Sequence, residues 1–233
     1  PVDIPFSPAA NKNLQWLKFF DLQTVQANRF NATPAGQGFR SSFGGNTNNA
    51  GGFASNVHNN YIYAVASRAH GAIAVMEMQV PTTPKTRERN PIMQDGDMRY
   101  WSMCTNEANS TRYYDCVYDE EAVILPGNRT ILAVGRGNER PNNATAACGV
   151  TWLEWGPTND TVLIYRHMLP KAQSNFPQAI QYIPGPSGCQ EESTMGAYFP
   201  YGTHYSKAAF EALGCPVNVN AIPNVSSQPA CSN

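Results

Sequence analysis

The chain has 233 residues, 42% of them hydrophobic and only 14% charged, with 16 basic against 17 acidic side chains. A net charge of -1 lacks the basic footprint that nucleic acids or anionic membranes require, so neither is expected as a partner. The most apolar run, residues 72–76, is far shorter than the roughly 20 residues of a membrane span, and no span is expected.

The elements follow in chain order. Residues 1–34 form an apolar arm, proline-punctuated at both ends, with Leu14, Trp16, Leu17, Phe19, Phe20, Leu22 and Val25 inside it. It reads as a short helix or an extended segment that either folds back on its own core or reaches a neighbour. Residues 35–60 are rich in Gly, Asn and Ser and read as a loop or linker, although Phe39, Phe43 and Phe53 argue that it packs on something. Strand signals bounded by Pro, Gly and Asn clusters then recur at 61–66, 72–80, 98–103, 113–118, 129–134, 150–155 and 162–168. Seven short strands so closely spaced predict an all-β domain with minor helix, a sandwich or a barrel, over 61–233. Within 72–80 both faces are largely apolar, as expected of a covered strand. Ser206 to Leu213, with Gly214 just past its end, predicts a capped C-terminal helix of about two turns.

Six cysteines, Cys104, Cys116, Cys148, Cys189, Cys215 and Cys231, lack the CxxC or Cys/His spacing of a zinc site. Three disulfides are expected, and sequence proximity assigns one pair, Cys104 with Cys116, as the staple of a hairpin. Sequons stand at Asn31, Asn109, Asn128, Asn143, Asn159 and Asn224, about twice the number that composition would scatter by chance, and mostly within turn-like segments. Cysteines and sequons together predict secretion through an oxidising, glycosylating pathway, with N-linked glycans attached. A chain that starts at Pro1 is read as one whose secretory leader or pro-segment has been removed.

Reactive chemistry is hard to find. The acidic clusters Asp95-Gly96-Asp97 and Asp119-Glu120-Glu121 do not continue into a calcium-loop pattern and read as surface turns. His58, His70, His167 and His204 share no ligand spacing. No G-x-S-x-G elbow is present, and Gly135-Arg136-Gly137 reads as a turn. The strand-borne acids available to a glycosidase are Glu77, Glu120, Glu121 and Glu154, with no pair singled out. Tyr100, Trp101, Tyr113, Tyr114, Tyr118, Trp152, Trp155 and Tyr165 fall on predicted strands, where alternation sends about half inward and leaves the others for a sugar-binding or subunit-contact face.

The order of residues 72–81, the strand Arg99-Tyr100-Trp101-Ser102-Met103, the segment 149–157 with Trp152 and Trp155, the Arg166-containing strand closing in Pro170, and 195–200 resembles the β-sandwich domain of an uncharacterised, mostly bacterial family. The likeness covers about residues 60–200 and implies a jelly-roll-like β-sandwich without an established enzyme activity or a catalytic residue. A weaker likeness, of overall character, is to subunits of extracellular filaments. The expectation is therefore a non-enzymatic, secreted glycoprotein that self-associates as a structural or assembly subunit, without metal or cofactor. A carbohydrate-binding module is the alternative, and a polysaccharide hydrolase the less favoured one.

Overall fold

The computed structural model describes residues 12–18, 58–89, 96–107, 112–184 and 190–225. Among them nine strands form two sheets: β1 Leu17–Lys18, β2 Asn59–Ser67, β3 Ile73–Gln79, β4 Met98–Asn106, β5 Tyr113–Tyr118, β6 Arg129–Gly135, β7 Val150–Glu154, β8 Asp160–Pro170 and β9 Tyr201–Tyr205. The first sheet runs β1-β2-β8-β4-β5 and the second β7-β6-β3-β9. All pairings are antiparallel except β6 with β7, which run parallel. Two helices, α1 Glu191–Met195 and α2 Lys207–Glu211, complete the all-β sandwich. Ser206 caps α2 through a side-chain oxygen that accepts the Ala209 N–H, as its position before the helix predicts.

Alternation in β8 sends Leu163, Tyr165 and His167 into the space between the sheets, where they meet Trp101 and Met103 from β4 and Met76, Leu132 and Leu153 from the opposite sheet. Strand β3 is buried at six of its seven positions because its second face is covered as well. That cover is the C-terminal tail: Phe210 of α2, Val217 and Ile222 pack on Ile73, Val75, Ile131 and Ala133. The one carboxylate in this apolar strand, Glu77, is 3% exposed and takes a 2.6 Å hydrogen bond from Nε of Arg129 on β6.

Two disulfides are present among the described residues. Cys104 and Cys116 face each other across β4 and β5, as proximity predicts, with Cα atoms 4.1 Å apart. Cys148 pairs with Cys215, 67 residues later, and pins the tail to the turn before β7. Cys189 and Cys231 lie outside the described residues, as do Asn31, Asn109 and most of the expected arm and Gly/Asn-rich stretch. Asn128, Asn159 and Asn224 are exposed.

Asn143 requires a correction. Its Nδ2, the atom to which a sugar would be joined, is buried with the rest of the side chain and donates to the carbonyls of Phe210 and Gly214, each at 2.9 Å. Those carbonyls belong to the C-terminal end of α2, whose terminal acceptors need donors. This asparagine closes a helix end and is incompatible with a glycan in the folded chain.

Candidate functional site

The most elaborate construction beyond the two sheets is a strap, residues 12–18, laid along one side of the sandwich with Leu14 and Trp16 in the main core. These residues alternate between buried and half-buried: Leu14, Trp16 and Lys18 point inward, while Asn13, Gln15 and Leu17 are partly exposed. Leu14 donates its N–H to the Gly202 carbonyl at 2.8 Å, and His204 donates its own to the Lys12 carbonyl, so the segment first extends β9. Three residues after Leu14, Leu17 and Lys18 pair with Tyr63 and Ile62 of β2. One short stretch thus covers an edge of each sheet, and edge backbone left open is a template for pairing with other chains.

The receiving residues are fitted to it. A Cβ at Gly202 would stand 2.6 Å from Cδ1 of Leu14 and 3.0 Å from Cγ of Met76, so only glycine at this point of β9 lets Leu14 enter. Trp16 is fully buried in the main core. Lys18, 4% exposed, donates its backbone N–H to Oε1 of Glu191 at 2.7 Å and its ammonium to the Ile183 carbonyl at 2.7 Å. Burial holds the Lys18 ammonium down to about 8 against the opposing pull of Glu191.

His204 joins strap, β9 and β2. Its Nε2 accepts the Ser67 N–H at 3.1 Å, which leaves the ring proton on Nδ1, 2.7 Å from the Lys12 carbonyl. Burial, opposed by the Lys12 carbonyl and reinforced by His70 and Lys12, pushes its pKa down to about 4. His167, fully buried beside Tyr165 and accepting the Ile180 N–H on Nδ1, is pushed down to about 3 by burial. Both imidazoles are neutral in the fold, whereas the unfolded chain takes up protons on them near pH 6.5. The unfolded state therefore binds more protons below that pH, and stability is complete above it and falls as pH drops toward the folded values. At pH 5 each histidine costs about 2 kcal/mol relative to pH 7.5. Urea unfolding at the two pH values checks this: the midpoint falls at pH 5, and an unchanged or higher midpoint would contradict the assignment.

The sequence-predicted acids are not brought together, although His70 lies beside His204 with ring centroids 5.6 Å apart. Glu77 is paired with Arg129. Glu120 accepts the backbone N–H groups of Thr86 and Arg87 and the Thr86 hydroxyl, and Glu121 pairs with Arg87 at 2.8 Å. Asp97 accepts from the N–H and hydroxyl of Thr82, so both acidic clusters contribute turn-fixing groups. At the seam opposite the strap, an open cleft of about 580 Å³ is lined by Tyr114, Arg136, Asn138, Glu154 and Pro157. Its polar groups hold the chain in place: Glu154 accepts the Gly137 N–H, and Arg136 donates to the carbonyls of Pro157 and Thr158. Among the described residues no three His, Cys, Asp or Glu side chains form a metal cluster, and no helix is long and apolar enough to cross a membrane.

Of the aromatics, Trp101, Trp155 and Tyr165 are fully inside. Tyr100, Tyr114, Tyr118 and Trp152 are partly buried, and Tyr113 is exposed. Sequence reasoning missed β9, α1, the Lys18–Glu191 contact and the His204 bonds to Ser67 and Lys12. The strap's burial alternates, with Leu14, Trp16 and Lys18 inward, but its sequence hides this, because the outward Leu17 is apolar and the inward Lys18 is charged.

No protein-family model and no curated protein matches the chain. A solved structure of an uncharacterised protein from Burkholderia cenocepacia aligns with a TM-score of 0.36 at 14% identity, over 51% of this chain and 28% of that one.

Proposed function

We propose that this protein is a secreted, N-glycosylated, non-enzymatic subunit of an extracellular assembly, in which strap and groove supply the contact between copies. The supporting observation is the groove itself: a strand-like peptide of residues 12–18 completes both sheets through backbone pairing and a buried tryptophan. This is the strand-addition mode by which one chain completes another. Residues 19–58 lie between the strap and β2, and a stretch of that many residues can span at most on the order of 130 Å, an upper bound that includes an adjacent subunit. Such a contact is head-to-tail and propagates without closing. Two bridges that tie strand to strand and tail to body suit an oxidising compartment. The engagement of Glu77, Glu120, Glu121 and Glu154 in fixed structural bonds favours this reading over a hydrolase.

The test locks the strap in cis. Asn13 and Thr203 form an antiparallel bridge flanked by the Leu14–Gly202 and His204–Lys12 bonds, which makes them a non-hydrogen-bonded pair with Cα atoms about 4.5 Å apart, close enough for a disulfide. By negative-stain microscopy the native glycoprotein is expected to form extended assemblies, the Asn13→Cys/Thr203→Cys variant to remain monomeric, and the Asn13→Ser/Thr203→Ser control to assemble. Native protein that stays monomeric at every concentration overturns the proposal. A locked variant that assembles like the control removes the strap from it.

A further inference from the structure

The first tie of the strap runs through one histidine. The Lys12 carbonyl accepts from the His204 N–H at 3.2 Å, from Nδ1 of the same residue at 2.7 Å and from the Thr203 hydroxyl at 3.3 Å. On its other side the His204 ring accepts the Ser67 N–H on Nε2 at 3.1 Å, which joins the strap to the end of β2. A neutral imidazole with its proton on Nδ1 suits both partners, donating to one and accepting from the other. An imidazolium does not: it carries a proton on each nitrogen, and its Nε2–H would face the Ser67 N–H.

The charges around the ring act in the same direction. The strap brings Lys12 and the turn after β2 brings His70, its ring centroid 5.6 Å from that of His204, and both oppose a second proton there. Arg68 stands over the Trp155 ring, which lies against His204, and its charge is met by Glu139 at 2.6 Å. On β9 the next residue, Tyr205, is kept neutral by burial, on β8 Asp160 stands across from Ser67, and β3 presents Ala74. Protonation would strengthen the bond to the Lys12 carbonyl, but it would break the Ser67 bond and place a charge on a ring with no exposure to water. Withdrawing the strap takes Lys12 away from the ring and lets water reach it. The released state therefore holds the second proton better than the closed one, and acid favours release.

We infer that His204 is an acid-sensitive latch on the strap, closed while its ring is neutral and released when the ring takes a second proton. For assembly, the consequence rests on the reading that the strap joins copies. A strap seated in a neighbour meets the same His204 contacts as one seated in its own body, so acid loosens both alike. Low pH then speeds the exchange of straps between copies, and a return to neutral pH fixes each strap where it lies.

The test follows the Leu14 amide, bonded to the Gly202 carbonyl two residues from the latch, by hydrogen exchange in the native glycosylated chain, each rate divided by the intrinsic rate at the same pH. A ring held down to about 4 in the closed state and regaining its ordinary value near 6.5 on release lowers this protection by up to about 30-fold between pH 7.5 and pH 5. A fall of at least fivefold is expected in the native chain. His204→Gln, whose amide can accept from Ser67 and donate to Lys12 without titrating, should fall by less than fivefold. A native fall smaller than fivefold, or a His204→Gln fall of fivefold or more, would overturn the inference. Should His204→Gln fail to fold, the Asn13→Cys/Thr203→Cys chain decides instead: at pH 5 its Leu14 amide should be protected at least tenfold more than the native one, and a smaller difference refutes the latch. Protein that stays monomeric while Leu14 protection falls removes the assembly reading and leaves the latch, whereas assemblies that form while the protection holds remove the latch alone.

Discussion

Replacing Trp16 with alanine should lower the free energy of unfolding by about 3–5 kcal/mol, the range for a large aromatic removed from a core. Comparing the strap's ties leads to this choice. Each backbone hydrogen bond to β9 or β2 contributes about 1 kcal/mol net, because the unfolded chain makes equivalent bonds to water. The Lys18 and Glu191 contacts are nearly neutral in sum, since their attraction is set against the cost of taking both groups out of water. Trp16 has no such offset: it is fully buried and touches both sheets' core. Its loss should also release the strap before the sandwich melts, so the amides of Leu14 and His204, which are bonded across the groove, should exchange faster than those of β3. Urea denaturation and amide exchange of Trp16→Ala, with Gln15→Ala as a half-exposed control costing less than about 1 kcal/mol, check both parts. A Trp16→Ala chain as stable as the control would mean that the strap is ornamental, and the groove would lose its claim to function.

The strap also illustrates what the sequence could and could not disclose. Its apolar character was readable, but neither its strand-like burial nor its destination was, because Leu17 and Lys18 break the polarity alternation and the pairing partners are distant in the chain. The seven strands from β2 to β8 were legible for a related reason: each carries its own apolar alternation or covered run, ended by Pro, Gly or Asn, and local signals suffice to place it. Tyr201–Tyr205 gave a weaker signal, with a glycine in its interior where strand propensity predicts none. That glycine is explained only by Leu14, about 190 residues away in the chain. The same distance effect hides Asn143, whose Asn-Ala-Thr context satisfies a glycosylation motif while its amide is committed to the end of α2. A motif read from three neighbouring residues carries no information about a carbonyl donated to from across the fold.

The register of the five-stranded sheet was half legible. Tyrosines at 100 and 118 were assigned to strands, so that some aromatics would face outward followed from alternation alone. Register was missing: only the pairing of β2 with β8, β8 with β4 and β4 with β5 puts Tyr61, Arg166, Ser102 and Tyr118 in one line.

The second large effect belongs to the tail. Replacing Cys148 and Cys215 with serine should cost about 4 kcal/mol, more than the roughly 3 kcal/mol expected for the same change at Cys104 and Cys116. Closing a loop restricts the unfolded chain in proportion to the logarithm of its length, and the separations are 67 and 12 residues. Native-state consequences point the same way. The Cys104–Cys116 bridge joins strands already paired in the sheet, so its removal leaves their ladder intact. The Cys148–Cys215 bridge instead holds Phe210, Val217 and Ile222 over Ile73, Val75, Ile131 and Ala133, and β3 and β6 carry apolar residues on that face only because the tail covers them. A loosened tail exposes this second core to water and to neighbouring chains. In thermal unfolding under non-reducing conditions the Cys148→Ser/Cys215→Ser variant should melt about 8–16 °C below the native protein, with earlier aggregation, and the Cys104→Ser/Cys116→Ser variant by less. The reverse order would mean that the hairpin, and not the tail, governs how long this sandwich survives outside its native conditions.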